Sequence, residues 1–552
     1  MLGVLWTRAE DTTAMSDSSS LNSSTTQLPV EGSEVANSSY SSFPSSPKSL
    51  VQVQSHLVND DSSTETDEFE EEDAEQYLRF SPSRKIAIVA ILTFCAFLTP
   101  ISSTAILTAV PELATTFGTT GDMINASNAM YLASMAVSCL FWGPLSQVWG
   151  RRPIFILSGL LFWLSTAATA LSPDLPSYFI FRVLTALQGT SFLVVGSSVI
   201  GDIYEPRARA SALAWFLSGS MTGPALGPFL GVSFYLDGEL GVYLVANMPH
   251  QTQGIVVTFR QWRVIFWLLT ALTGFAVVLI ALFLPETIPR KSKAELAGHR
   301  LPQRIKLLWH RISPFPALLL PFSHPNIFIT GLAAGALVWN QYALLTPIRY
   351  VLNPRFHLSS PIQAGLFYLA PGCGYLAGTF VGGRWADYTV KKYIKKRNGQ
   401  RVPEDRLRSC LPYICIVTPG CLLVYGWTLE REVGGIAVPV VAMFLQGVAQ
   451  MFCFPSLQSY CLDVMQPHGR SAEVVASSYV FRYVFAALGT GVVLPATQSL
   501  GVGWFNTISA LFLVVSGVLV WLTVIYGPRW REAADLKYAR KAFEVKQAQT
   551  EV

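Results

Sequence analysis

The chain has 552 residues, of which 51% are hydrophobic, 12% aromatic and only 13% charged, about half the charged share of an ordinary soluble domain. Such a composition excludes a water-soluble globule as the main body, and a net charge of only +4 implies no nucleic-acid partner. Eight cysteines without metal-ligand spacing read as small core residues, not as zinc ligands or a disulfide framework.

Residues 1–84 open the chain with runs such as "SDSSSLNSSTTQ" and "TETDEFEEEDAEQ". They cannot bury enough apolar surface to offset the entropy of ordering, so a disordered, cytosolic, Ser/Thr-rich and acidic tail is expected. From Lys85 onward come twelve apolar segments of about 20 residues, the length an α-helix needs to cross a hydrocarbon layer of about 30 Å. They fall near 86–108, 126–145, 153–171, 177–201, 210–232, 263–284, 327–349, 362–382, 409–429, 435–456, 474–497 and 503–525. The fold expected is an all-α membrane protein of twelve transmembrane helices.

Basic residues alternate between the connections. Arg151 and Arg152, Arg207 and Arg209, a cluster from Arg290 to Arg311, another from Arg384 to Arg408, and Arg470 lie on one side. The other side holds only Arg260, Arg263, Arg349, Arg355 and Arg431. Retention of positive charge on the cytosolic side then places both termini in the cytosol, with the plasma membrane as the expected location.

The two halves echo one another. "GPLSQVWGRRP" after the second segment corresponds to "GGRWADYTVKK" after the eighth, and "DIYEPRARASA" after the fourth to "DVMQPHGRSAE" after the tenth; Pro206 and Pro467, like Arg209 and Arg470, are 261 positions apart. Two six-helix halves, 85–285 and 327–527, are expected around a pseudo-twofold axis along the membrane normal, which is transporter architecture. A basic cytosolic linker, 286–326, joins them, and a cytosolic tail, 528–552, follows.

These motifs resemble the major facilitator superfamily, and within it the fungal drug:proton antiporter family with twelve helices. The loop after the second segment is similar to that family's G-x-L-x-D-x-x-G-R-[KR], with Gly143, Leu145, Gly150, Arg151 and Arg152 in place and Gln147 where the acid stands. In the second half Gly383 and Asp387 fit, and Lys391 takes the arginine position. The fifth segment, "GSMTGPALGPFLG", resembles the antiporter signature G-x-x-x-G-P-x-x-G-G, with Gly219, Gly223, Pro224 and Gly227 matching and Pro228 replacing the last glycine. Glycines four apart share one helix face and let a neighbouring helix approach closely. The resemblance implies a conformational role for all these positions, and it implies coupling to protons.

Charges within apolar segments are functional suspects. Arg182 matches the arginine of the family's R-x-x-Q-G motif, to which the resemblance attaches a proton-relay role, but Thr185 stands at the glutamine position; Arg182 reads either as a substrate-binding residue or as a snorkelling side chain. Arg482, flanked by Tyr479 and Tyr483, reads as a binding-cavity residue or one member of a structural pair. Asp202 and Asp463 close the fourth and tenth segments and Glu112 follows the first, but no Asp or Glu lies within an apolar core. Asn340, Gln341 and Tyr342, with Tyr368, Gln446 and Gln450, are the polar groups expected to line a cavity, because an unsatisfied amide in hydrocarbon costs several kcal/mol.

No nucleophile with its base, no metal cluster and no "GxxxxGK[ST]" loop is visible, so neither an enzyme nor an ATP-driven pump is expected. The reading that follows is a secondary active transporter, monomeric and without cofactor or metal. It would export a small organic molecule (a drug, secondary metabolite or organic acid) in exchange for protons; uptake or exchange of an organic acid or polyamine is the alternative. Arg482 without an intramembrane carboxylate favours an acid, or a neutral molecule rich in acceptor oxygens, over a cation.

Overall fold

Helices begin and end where backbone chemistry allows. In the computed structural model the described residues are 77, 79–236, 262–287, 313–352, 355–356 and 361–550; the N-terminal tail before Tyr77 and most of the expected linker lie outside them. The helices are α1 (Pro82–Thr104), α2 (Val110–Thr116), α3 (Gly121–Trp149), α4 (Arg151–Ala170), α5 (Leu175–Ile203), α6 (Arg209–Leu236), α7 (Arg263–Phe283), α8 (Phe315–Ser323), α9 (Pro325–Leu345), α10 (Pro361–Lys396), α11 (Thr418–Arg431), α12 (Ala437–Met465), α13 (Ser471–Leu500) and α14 (Val502–Thr550). Proline opens α1, α5 and α9 within the first two positions, where its missing N–H costs nothing. Asp174 and Ser177 form a capping box at the start of α5, which satisfies two otherwise orphaned groups.

Ten of the described helical stretches are long and apolar enough to cross a membrane. Two further long helices, α6 and α10, stand where the fifth and eighth segments are expected. Boundaries differ from the sequence reading in four places. α1 stops at Thr104 and gives way to a 3-10 turn, Ala105–Thr108. α9 ends at Leu345, ahead of a π-turn at Ile348–Leu352. The ninth segment is broken into a 3-10 turn (Pro403–Ser409), a π-turn (Tyr413–Val417) and α11. The expected C-terminal tail is a continuation of α14 as far as Thr550, and part of its face is docked: Tyr538 stacks on His468 at 4.3 Å and on His324 at 5.9 Å, and accepts a 2.8 Å hydrogen bond from Arg470.

The described helices pack as one body. α1 packs on α6, α3 on α5, and α4 on α5 and α7; α9 packs on α13 and α14, α10 on α12, and α11 on α12 and α14. Two seams join the first six long helices to the last six, α3 against α13 and α6 against α10. Leu160, Leu164, Val278, Leu282, Leu511 and Trp521 point outward, as expected of side chains whose solvent is lipid rather than water.

Candidate transport site and gate

At the end of the bundle that carries the basic loops, the two seams close through glycine. A Cβ on Gly143 of α3 would lie 2.9 Å from Ala472 O and 3.2 Å from Ala476 Cβ of α13; one on Gly383 of α10 would lie 2.7 Å from Ser211 Cα of α6. Neither seam tolerates a side chain without moving apart. The chemistry around the two glycines differs. On α10, the Asp387 carboxylate accepts from the backbone N–H of Ala210 (3.3 Å) and Ser211 (2.9 Å) at the start of α6, and from the Ser211 hydroxyl. A carboxylate on exposed helix N–H groups is favoured by both hydrogen bonding and the helix dipole. Arg406 bridges Asp387 (3.2 Å) and Asp463 (3.1 Å), while Asp463 also takes Arg209 (2.8 Å) and Arg401 (2.8 Å). On α3, Gln147 makes one long contact, Nε2 to Gly469 O at 3.4 Å. The charged contacts thus lie on the α6–α10 seam.

Gly150 and its arginines hold a different joint. Gly150 has φ 102°, a region that disfavours side chains, and a Cβ there would meet Glu286 Oε2 at 2.5 Å. Glu286 instead accepts the N–H of Arg151 (2.9 Å) and Arg152 (3.3 Å). The Arg151 guanidinium, 2% exposed, pairs with Asp202 at 3.1 Å and donates to Ser146 at 2.6 Å; Arg152 donates to Ala281 O at 2.7 Å. These contacts tie α3, α4, α5 and the end of α7 together and do not cross the seams.

Gly219, Gly223 and Gly227 of α6 face α1. A Cβ on Gly219 would fall on Thr93 O, one on Gly223 would lie 2.9 Å from Pro100 Cβ, and one on Gly227 would fall on Thr104 Oγ1. Pro224 sits buried among them; the side chain of Pro228 lies outside the described ones.

The two intramembrane arginines stand apart. Arg182 is 1% exposed, donating to Ser102 O (2.7 Å) and Asn128 Oδ1 (3.3 Å), with its guanidinium 4.3 Å from the Tyr131 ring centre. It ties α5 to α1 and α3, which rules out the snorkelling reading. Ser197 lies 15 residues further along α5, roughly 22 Å at helical rise, and shares a 3.2 Å hydrogen bond with Tyr479. Arg482, 2% exposed, sits beside that Tyr479, at 4.8 Å from its ring centre and 4.6 Å from that of Phe454. It donates from Nη2 to Gln458 Oε1 at 3.0 Å, while its Nε and Nη1 have no hydrogen-bond partner. A guanidinium buried with two open donor directions is costly unless something else satisfies them.

The amides are buried too. Asn340 donates to Ala336 O of its own helix (2.7 Å), and Gln450 donates to Leu337 O (2.7 Å), linking α12 to α9. Asn340 Oδ1, Gln341 Nε2, Gln450 Oε1 and both polar atoms of Gln446 have no partner. Tyr342 and Tyr479 fall in one packed cluster with Tyr131 and Tyr375, while Tyr368 packs in another with Tyr425 and Leu344. Sequence reasoning passed over Gln458, Tyr131, Asn128 and Glu286. The "LPET" that follows the sixth segment carried a signal for Glu286; Asn128 lay inside the second segment, and Gln458 just beyond the tenth, which was bounded at 456.

Among known proteins, residues 92–490 match the family described as Major Facilitator Superfamily. The chain is 28% identical over 479 residues to the MFS-type transporter penM of Penicillium rubens, covering 83% of this chain and 88% of that one. It is 26% identical over 466 residues to the efflux pump radE of Floropilus chiversii, covering 82% and 81%. The solved structure of the human organic anion transporter MFSD10 is similar in fold, with a TM-score of 0.57 at 17% identity, over 80% of this chain and 100% of that one. A family match spanning most of the bundle, a shared fold and helix seams closed through glycine lead to one conclusion: the chain belongs to the major facilitator superfamily and is a membrane transporter, which moves a solute rather than transforming it.

Proposed function

We propose that this transporter exports a small organic acid, or a neutral molecule rich in acceptor oxygens, across the plasma membrane in exchange for protons, as a monomer with its basic loops and both termini in the cytosol. The observation that carries the substrate class is Arg482: a buried guanidinium with Nε and Nη1 unsatisfied and no carboxylate hydrogen-bonded or ion-paired to it among the described residues. A positive charge in a low-dielectric interior attracts an anion and repels a cation. Arg182 is better satisfied, and we assign it to holding α1, α3 and α5 in register beside the site. Asn340, Gln341, Tyr342, Gln446 and Tyr479 complete the binding surface, with Tyr368 at its edge.

In this reading the halves 85–285 and 327–527 rock about the substrate, and the contacts at Gly143, Gly383 and Asp387 form the cytosolic gate, here shut. Gly150, Arg151 and Arg152 keep the first half rigid as it moves. Export and proton exchange are supported by the α6 signature and by the efflux pump among the relatives. Untargeted profiling of the medium from deletion and overexpression strains tests the reading. Organic acids should accumulate outside in proportion to expression; a medium whose only transporter-dependent compounds are cations would refute it.

A further inference from the structure

Along α12 a polar residue recurs every fourth position but one: Gln446, Gln450 and Gln458, with Phe454 in the remaining place. Residues four apart stack along one gently turning face of a helix, so the four form a row. One end of it is already defined, because Gln458 accepts from Arg482 and Phe454 lies under the same guanidinium. All three glutamines are fully buried, in a segment whose surroundings offer no water to hydrogen-bond a spare amide.

Their polar atoms are largely unused. Gln446 Oε1 and Nε2, Gln450 Oε1 and Gln458 Nε2 have no partner, nor do Asn340 Oδ1 and Gln341 Nε2 on α9, the helix that Gln450 touches through Leu337 O. A packing role explains buried leucines in such a row and does not explain glutamines, each of which carries a desolvation penalty for every unmet polar group. The open atoms are mixed, three N–H donors and three carbonyl acceptors. A simple anion needs donors alone. A mixed set suits groups that both donate and accept, namely amides and hydroxyls.

We infer that the α12 glutamine row is the specificity element of the site: it selects an elongated acid whose anionic end lies at Arg482 and whose body carries amide or hydroxyl groups toward Gln450 and Gln446. Gln450 is eight residues and Gln446 twelve residues from Gln458, which sets those groups roughly 12–18 Å from the acid. Phe454 supplies the apolar surface between them. A hydrophobic site discriminates weakly against a missing polar group, whereas a site of buried unpaired amides rejects the analogue that cannot satisfy them. The inference rests on the anion reading of Arg482 for the orientation of the ligand, and on the row itself for its length and polarity.

The test uses the purified full chain and three probe acids: decanoate, which is long and apolar; 10-hydroxydecanoate, which ends in a hydroxyl; and N-acetyl-tetraglycine, which carries amides along its length. Binding is measured by calorimetry. Wild type should bind at least one of the two polar acids about tenfold or more tighter than decanoate, and which one it prefers separates hydroxyl from amide recognition. Gln446→Leu with Gln450→Leu should collapse that ratio to below about twofold, and retained decanoate binding reports an intact fold; Gln446→Asn, a milder change, should give an intermediate ratio. Arg482→Ala should weaken all three acids alike. A wild-type ratio below twofold, no binding of either polar acid, or a ratio that survives the double substitution overturns the glutamine row. If Arg482→Ala leaves all three affinities intact while the ratio still depends on the glutamines, the anion reading fails and the row stands.

Discussion

Asp387→Asn should unlatch the gate. In the structure this carboxylate takes the Ala210 and Ser211 N–H groups, the Ser211 hydroxyl and Arg406, and Asp387 is only 6% exposed. Removing one partner of a buried charge pair costs about 3–5 kcal/mol. Here Arg406 keeps Asp463 at 3.1 Å, and asparagine can still accept one of the helix N–H bonds, so the closed state should lose roughly 2–3 kcal/mol. That shifts the closed-to-open ratio about 30- to 150-fold, enough to turn a gate that is shut 99% of the time into one that is open for a large share of it. Spin labels at the exposed positions Ala208 and Lys395, one on each side of the α6–α10 seam, report the change by pulsed electron resonance. A second, longer distance population should appear in Asp387→Asn, and more weakly in a Gly383→Ala chain. An unchanged single distance in Asp387→Asn would refute the assignment of the latch.

Three further outcomes follow from the packing. Gly219→Val places a branched side chain on Thr93 O of α1 and should lower the melting temperature and abolish concentrative transport, whereas Gly420→Ala, which meets nothing within 4 Å, should leave both unchanged; equal behaviour of the two would dismiss the α1–α6 contact as the cause. Gly150→Ala forces a methyl into a left-handed backbone 2.5 Å from Glu286 Oε2, so it should cost about 1–3 kcal/mol, visible as a lower melting temperature, and a wild-type value would contradict the joint described for Arg151 and Arg152. Burial, opposed by a backbone contact at Leu320 and reinforced by Arg470, His468 and Lys537, holds the His324 pKa below its ordinary 6.5. The docked end of α14 is therefore stabilised above about pH 6.5 and loosens as pH falls through the lowered value; protection factors around Tyr538, with the intrinsic pH dependence of exchange divided out, should be smaller at pH 5.5 than at 7.5 in wild type and not in His324→Phe, and equal pH dependence in both would refute it.

The long helices were legible because a run of about 20 apolar residues has one meaning in a membrane; the breaks were not. The 3-10 and π-turns near Thr104, Ile348 and Tyr413 keep the apolar composition of their neighbours, so hydropathy passes over them. The extension of α14 to Thr550 was read as a tail because its charge hides the contacts of Tyr538 with His324, His468 and Arg470. Gly143, Gly150, Gly383 and Asp387 were singled out through the resemblance of the two loops to the family's motif, and the three glycines stand where a close approach or a positive φ leaves no room for a side chain. Which seam carries charge was half legible: Gln147, where the family's motif has an acid, cannot form an ion pair, but Arg406, at the centre of the other seam's contacts, was one arginine among many in a basic loop. Partners such as Gln458 for Arg482 lie on another helix, and no local pattern joins them.

Whether Arg482 makes this transporter selective for organic acids, as proposed, is read out in inside-out vesicles energised by a proton gradient. Uptake of a labelled transported compound, identified from the medium profiles, is measured in wild type, Arg482→Ala and Arg482→Lys with carboxylates or quaternary ammonium compounds as competitors. Carboxylates should block wild-type uptake, Arg482→Ala should reduce it by at least tenfold, and Arg482→Lys should recover a part through charge without the planar fork of donors. Uptake blocked by quaternary ammonium compounds, untouched by carboxylates and undiminished in Arg482→Ala would contradict it.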